Sequence, residues 1–454
     1  MKKVISKIKE DPTVVFFIIC IIGFISYLAL SVFHGHDMLT WLLQENDPDI
    51  FATDYWEHFY YSVRPGQLYT RMGDPSGCFP PLAYVMYYFL YRLTAIRGYV
   101  PSNYTETVSM QGTNLVYVYY TLIVAFLIFI GISLIGKKRS LGWNVLLFIC
   151  LMVSPVFLGS GIFVGNSTML VLAFLLIALA YKDSESPVKR EIALILIAIS
   201  ACLKIYPAVF GLLYLKEKRF KEAIRMIIYG IILFVFPFFI FGGAGAVSLW
   251  LGHIKGTMGI LEGGRIEYIK GVTYQILSWF GLTETSTLVK VLCTIIPNAF
   301  LILMIFLAAI SKNKYRTLFF LAAAITLYPS NAFRYTLSYF TIPLIFFIQE
   351  YVACSKDSMS FNTECPKTQG TDDTENKEIR TPVSSGAEAW LFIILNSLIF
   401  AIPTFWGIMT GFNPTFGPYN LTYVEVWIYI SAYLLVIFEI ITECRLITFK
   451  KETR

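Results

Sequence analysis

Apolar runs recur along the chain at 13–33, 114–136, 142–158, 167–181, 223–243, 288–311, 388–409 and 423–446, with polar breaks between them. Several exceed the roughly 18 apolar residues that mark a membrane-spanning helix. The first, TVVFFIICIIGFISYLALSVF, is too long for a signal-peptide core and has no small-residue cleavage pattern. It follows Lys2, Lys3, Lys7 and Lys9, so it reads as a retained anchor entered from the cytoplasmic side.

Two further apolar regions are interrupted. Residues 192–215 carry Lys204 and Pro207 near their middle, and 317–350 carry Pro329 and Arg334. Each has basic flanks at both ends. Lys189 and Arg190 precede the first, and Lys216, Lys218 and Arg219 follow it; Lys312, Lys314 and Arg316 precede the second, and Lys356 follows it. A single crossing would put one basic cluster outside, against the positive-inside rule. It would also leave Lys204 near the bilayer centre, at roughly 2.5–3.5 kcal/mol. Two short helices returning to the cytoplasmic side remove both conflicts. Halves of 192–215 have only about 11 or 12 residues each, too few to cross roughly 30 Å alone. Such half-helices survive when packed in protein or lining a watery cavity.

The expected fold is an all-α integral membrane protein of about twelve membrane segments. It includes two short-helix hairpins and a long first outer loop, 34–112, and both termini are cytoplasmic. Residues 1–351 form the main transmembrane module and 352–387 a disordered cytoplasmic linker, polar and rich in Ser and Thr. Residues 388–454 form a C-terminal helix pair with a basic tail.

Composition agrees. The chain of 454 residues is 56% hydrophobic and 15% charged, against about a quarter charged in soluble domains. The net charge of +6 belongs to inner loops on an anionic leaflet, which speaks for a lipid bilayer as partner and against nucleic acid. The eight cysteines are scattered without a CxxC pair and read as free thiols. No metal-ligand spacing and no cofactor motif stands out.

Candidate chemistry gathers on the outer face. DIFATDYWEHFYYS, 49–62, mixes Asp49, Asp54, Glu57 and His58 with Tyr55, Trp56 and other aromatics. FPPLAYVMYYFLYRL, 79–93, reads as a helix lying along the interface, with a short span as the alternative. The hairpin tips bring Lys204 and Arg334 to the same side. Carboxylates and cations together suit attack by a hydroxyl on an activated sugar carbon with a phosphate leaving. One carboxylate takes the proton, and the cations neutralise the phosphate. A phosphate needs no dedicated acid, unlike the carboxylate pair of a glycosidase. Each residue also has a plainer reading: Asp54 as a helix cap or solvated acid, Lys204 as a snorkelling side chain, Arg334 as an interfacial anchor, His58 as a satisfied hydrogen-bonding group. Asn103-Tyr-Thr105, Asn166-Ser-Thr168 and Asn420-Leu-Thr422 are formal glycosylation acceptors on the expected outer loops.

Four segments resemble glycosyltransferase family 87, the polytopic membrane mannosyltransferases of the GT-C superfamily. LKIYPAVFGLLYLKEKRFKEA (203–223) is similar to their K-x-x-P segment with its basic turn. LYPSNAFRYTLSYFTIPLIFF (327–347) resembles their P-x-x-W-x-H segment. GIFVGNSTMLVLAFLLIALAYK (161–182) resembles their G-Q/N helix opening. TDYWEHFYYSVRPGQLYT with CFPPLAYVMYY resembles their first outer loop. The resemblance spans about 45–350. It implies a bacterial cell-membrane enzyme with its active site on the outer face. It implies a polyprenyl-phosphate sugar donor, typically mannose, a glycolipid or glycan acceptor, and inversion. By position it implies Asp54 as the base, Lys204 beside the donor phosphate and Asn166 in the pocket. Where the family tends to have His, this chain offers Arg334, able to bind phosphate bidentately. Asp49, Tyr55, Glu57, His58, Tyr206 and Asn331 are secondary substrate-binding candidates. A transporter or flippase of lipid-linked saccharides, and a lipid-linked glycan polymerase or ligase, remain alternatives.

Overall fold

The computed structural model describes residues 11–35, 52–63, 68–69, 79–93, 111–259, 266–329, 334–360, 386–410, 415–416 and 421–452. Within them the chain is almost wholly helical, with one antiparallel pair of two-residue strands, Thr415–Phe416 and Leu421–Thr422. In chain order the α-helices begin with α1 (Thr13–His34), α2 (Thr53–Ser62), α3 (Pro81–Arg92), α4 (Gln111–Ile135) and α5 (Leu141–Met152). A π-helix, Val156–Phe163, leads to α6 (Thr168–Tyr181) and α7 (Pro187–Leu203), and a 3-10 turn, Tyr206–Gly211, leads to α8 (Leu212–Lys216). There follow α9 (Phe220–Ile240), α10 (Ala244–Gly259), α11 (Ile269–Trp279), α12 (Thr287–Ile310) and α13 (Lys314–Leu327). A second 3-10 turn, Arg334–Phe340, leads to α14 (Thr341–Ser360), and α15 (Gly386–Phe400), α16 (Thr404–Thr410) and α17 (Tyr423–Glu452) close the chain.

Two short helices form the centre. Nearly every residue of α6 is buried, and so is every residue of α13 from Tyr315 onward. A helix apolar all round belongs inside other protein. Longer helices surround them: α4 and α7 pack on α6, α12 and α14 on α13, and α9 on α7. These outer helices turn large apolar side chains outward, as with Ile224, Ile228, Ile231, Phe236 and Phe239 on α9. Among the described residues, five helical stretches are long and apolar enough to cross a membrane: Thr13–His34, Leu115–Ile135, Phe220–Ile240, Thr287–Ile310 and Val424–Thr448. The protein is an integral membrane protein.

Several expected runs differ in detail. The run at 142–158 is not one helix: α5 stops at Met152 and the π-helix carries on to Phe163, inside the expected outer loop. Pro155 cannot extend the hydrogen-bond ladder, and Gly159 and Gly161 permit the wider winding. The run at 388–409 breaks at Ala401–Pro403 for the same lack of a donor. The interrupted regions are asymmetric. In the first, α7 starts at Pro187 and has 17 residues, taking in Lys189 and Arg190, and the stretch beyond Lys204 is the 3-10 turn and short helix of Tyr206–Lys216. In the second, α14 runs on to Ser360, past the expected start of the linker.

Loops expected on the inner side meet at one end through direct bonds. Arg139 pairs with Asp11 at 2.7 Å, and the Lys138 amide donates to Gln349 Oε1. The Tyr315 amide donates to Glu350 Oε1 at 3.1 Å, Lys314 pairs with Asp183 at 2.8 Å, and Lys182 Nζ donates to Glu217 Oε2 at 2.6 Å. Residues 182 and 217 therefore lie side by side, as do 315 and 350. The 14 residues of α6 separate this end from Asn166 by about 20 Å at 1.5 Å per residue.

Candidate active site

At the other end, Asp54 stands in the first turn of α2. The helix starts after Ala52, whose φ of 56° is left-handed. A residue with a Cβ keeps that conformation only where its surroundings enforce it. Here the Asp54 amide donates to Val164 O at 3.0 Å, tying the start of α2 to the loop before α6. The next residue, Gly165, has φ +73°, and a Cβ on it would come within 2.9 Å of Tyr55 Cβ. Only glycine lets the two segments approach this closely.

Asn166 follows and is 2% exposed. Its Oδ1 accepts from the Thr168 amide at 2.9 Å and from Thr168 Oγ1 at 2.7 Å, the local turn that Asn makes with the residue two ahead. That fixes the amide's direction. Its Nδ2 donates to Asp54 Oδ2 at 2.5 Å. The nitrogen that glycosylation would need is buried and committed. Burial raises the pKa of the half-buried Asp54 carboxyl above the usual carboxylate range; the Asn166 hydrogen bond and the charge of Lys204 pull it back part of the way.

Lys204 ends α7 in extended conformation, φ −144° and ψ 125°. The Pro207 ring beyond it bars the helix from continuing. The side chain is buried, 6% exposed, and its Nζ lies 4.0 Å from the Phe79 ring centre and 5.0 Å from that of Tyr335. Ring faces replace part of the lost hydration of the ammonium. The tip of the first interrupted region is thus held between the segment entering α3 and the tip of the second. No ion pair joins Lys204 to Asp54 among the described residues, though its charge reaches that carboxyl. Arg334, beside Tyr335, turns its Nε to Glu425 Oε1 at 3.1 Å, so the second tip is tied to α17.

The remaining candidates divide. Tyr55 is fully buried among Trp56, Phe59, Tyr87, Tyr117 and Tyr120, where it packs as part of the wall behind Asp54. His58 is buried too. Its Nδ1 donates to the Asp54 carbonyl, and its ring packs on Phe79, Tyr84 and Tyr87, so it braces α2. Glu57 is half-buried on the same helix, and Tyr206 meets Tyr339 edge-on at 6.2 Å. Asp49 and Asn331 lie outside the described residues. The structure adds Thr168, Phe79, Tyr335 and Glu425. Of these, Thr168 had a local signal in its spacing from Asn166. Among the described residues, no three or more His, Cys, Asp and Glu side chains gather to hold a metal ion.

A polytopic helical membrane protein with a half-buried carboxylate beside a buried amide and a buried ammonium at one rim is the class this geometry defines. A family model, Glycosyltransferase family 87, matches residues 80–331, more than half of the chain, and the chain belongs to that family. It is a membrane glycosyltransferase, with a sugar donor and an acceptor as substrates. The matched stretch contains Asn166 and Lys204; Asp54, Arg334 and Glu425 lie outside it. No curated protein and no solved structure matches the chain.

Proposed function

We propose that the protein moves a hexose, mannose first among candidates, from a polyprenyl-phosphate donor to a hydroxyl of a glycolipid or glycan on the outer face of a bacterial cell membrane. The observation that carries this reading is the pairing of Asp54 with a neutral amide next to a buried Lys204 to which it is not joined. Asp54 takes the acceptor proton through a carboxylate oxygen. The acceptor oxygen attacks the anomeric carbon from the side opposite the phosphate, so configuration inverts. The bond from carbon to phosphate oxygen breaks, and polyprenyl phosphate leaves with the electron pair. Lys204 stands nearest to meet that charge, with Arg334 as the second cation. Asn166 donates to the carboxylate and so favours its ionised, basic form.

In the membrane, the end where Lys182, Lys314 and Arg139 meet is taken as cytoplasmic, which the positive-inside rule supports. The Asp54 end is then outside, and the two interrupted regions are hairpins within a bundle of about twelve segments. The C-terminal pair, α15 and α17, completes the site through Glu425. The test uses membranes holding the full chain and radiolabelled polyprenyl-phosphate mannose. Wild type is expected to form labelled glycolipid, and Asp54→Asn to lose at least about a hundredfold, as for removal of a general base. Transfer that survives the substitution would remove Asp54 from the chemistry. No transfer by wild type would remove the donor assignment.

A further inference from the structure

Two arginines of the second interrupted region pair with α17. Arg316, in the first turn of α13, is fully buried. It has Glu439 at 3.0 Å, Glu443 at 3.6 Å and, from α15, Glu388 at 3.8 Å. Arg334, at the tip, has Glu425 at 3.1 Å. Glu425 and Glu439 stand 14 residues apart on α17, about 21 Å at 1.5 Å per residue. α17 therefore runs beside α13 from its first turn toward the tip, and the two helices pack together. Removing one partner of a buried ion pair is strongly destabilising. The Arg316 contact thus anchors α17 far from the tip, and Glu425 stands on a fixed post.

The backbone at the tip is fixed as well. Thr326 Oγ1 donates to Thr336 O at 3.1 Å and Thr336 Oγ1 to Thr326 O at 3.3 Å, which clamps the 3-10 turn onto α13. Tyr335, the next residue after Arg334, has its ring 5.0 Å from Lys204 Nζ, so the turn belongs to the site. What the backbone leaves open is the guanidinium, at the end of a long side chain with large rotamer entropy. Glu425 supplies that restraint. Its Oε1 meets Arg334 on the Nε side, and Nη1 and Nη2 make no hydrogen bond among the described residues. A guanidinium held by Nε keeps its Nη1–Nη2 edge for two oxygens of an oxyanion. The charge of Glu425 does not draw a phosphate, and that of Glu267 reaches the same helix at Tyr429. What Glu425 contributes to anion binding is geometry.

We infer that Glu425 is a positioning residue for the donor phosphate: it holds Arg334 by Nε, from a helix anchored at Arg316, so that Nη1 and Nη2 meet the phosphate as a prepared pair. The inference rests on the proposed transfer reaction and gives the C-terminal helix a part in donor affinity. An arginine ordered beforehand loses no freedom on binding. Ordering one long side chain is worth up to about tenfold in affinity.

The experiment measures donor KM and kcat, and the Kd of polyprenyl phosphate, for the full chain in vesicles, with polyprenol as the phosphate-free control. Glu425→Ala is expected to raise donor KM and the polyprenyl phosphate Kd about fivefold while kcat stays within about twofold. Glu425→Gln keeps an acceptor for Nε without the charge, and should recover most of the lost affinity. Arg334→Ala combined with Glu425→Ala should bind no worse than Arg334→Ala alone, since the guanidinium to be held is gone. An unchanged Kd in Glu425→Ala would overturn the inference. So would a tighter one, because Glu425 would then compete with the phosphate. A loss in Glu425→Gln equal to that in Glu425→Ala would assign the effect to charge and overturn it. Additive losses in the double variant would assign it to docking of α17 and overturn it as well. Wild type that binds polyprenyl phosphate but transfers nothing loses only the reaction reading, and Kd still decides. Wild type that binds it no better than polyprenol loses the donor reading, and this inference with it.

Discussion

Two acids at opposite ends of the helix bundle meet charge in opposite ways, although Arg334 and Glu425 pair directly at the Asp54 end. At one, acids and bases neutralise each other directly. Lys182 reaches both Asp183 and Glu217, and Asp183 also takes Lys314 and Arg219. At the other, Asp54 is held by the amide of Asn166, while the Lys204 ammonium lies over two aromatic rings. The carboxyls show the difference. Burial alone would raise Asp183, but Lys314 and Lys182 outweigh it and hold that carboxyl down to about 2. Burial raises Asp54, and Asn166 and Lys204 only temper it. A paired acid fixes structure. An acid kept beside a cation but separate from it retains basicity and room for a substrate.

That contrast can be broken by substitution. The largest effect after loss of Asp54 itself is expected from Lys204→Met, which should cut transfer about 10²–10³-fold, as for removal of a transition-state charge donor. A small loss would assign Lys204 to packing on Phe79 and Tyr335. Arg334→Ala should raise donor KM about tenfold, the worth of one charge-assisted hydrogen bond. It should also loosen α17, which limited proteolysis would detect. Asn166→Leu sharpens the comparison through pH. A base at Asp54, as proposed, acts only when ionised, so the rate should climb as pH rises through its raised pKa. Losing the Asn166 donor should move that limb to still higher pH, and a rate profile that stays in place would contradict the role given to this amide. At the paired end, Lys182→Met should leave donor KM and the pH limb alone. It should lower thermal stability by about 1–2 kcal/mol, because the acids it leaves behind can be reached by water.

The smallest effect concerns acid. A carboxyl depressed to about 2 contributes stability that is complete above its unfolded value of about 3.9 and is lost as pH falls through the folded value. Unfolding of the solubilised protein between those limits should be steeper in wild type than in Asp183→Asn.

Much of the site was legible in the chain because its parts break local rules. An acid inside an aromatic outer segment, a lysine three residues before a proline in an apolar run, and a Gly-Asn pair opening a helix are each costly unless used. Asp54 and Asn166 are hydrogen-bonded, and the charge of Lys204 reaches the Asp54 carboxyl. Phe79 and Tyr335 could not be singled out, since aromatics make up 17% of the chain and ring position depends on how the two tips cross. Glu425 was hidden for a related reason: its partner Arg334 is far away in sequence, and only the packing of α17 brings them together. The runs at 142–158 and 388–409 looked continuous because hydropathy averages over Pro155 and Pro403, which backbone geometry cannot. Asymmetry of the interrupted regions escaped for the opposite reason. Lys189 and Arg190 looked like flanks, yet a Pro at the first helical position starts α7 before them.

The most direct test removes one acid from each end. Asp54→Asn and Asp183→Asn are compared for mannosyl transfer in the same membranes, at matched expression and at a pH above the acid limb. The account predicts at least about a hundredfold loss for the first and a rate near wild type for the second. Equal rates for the two variants would contradict it.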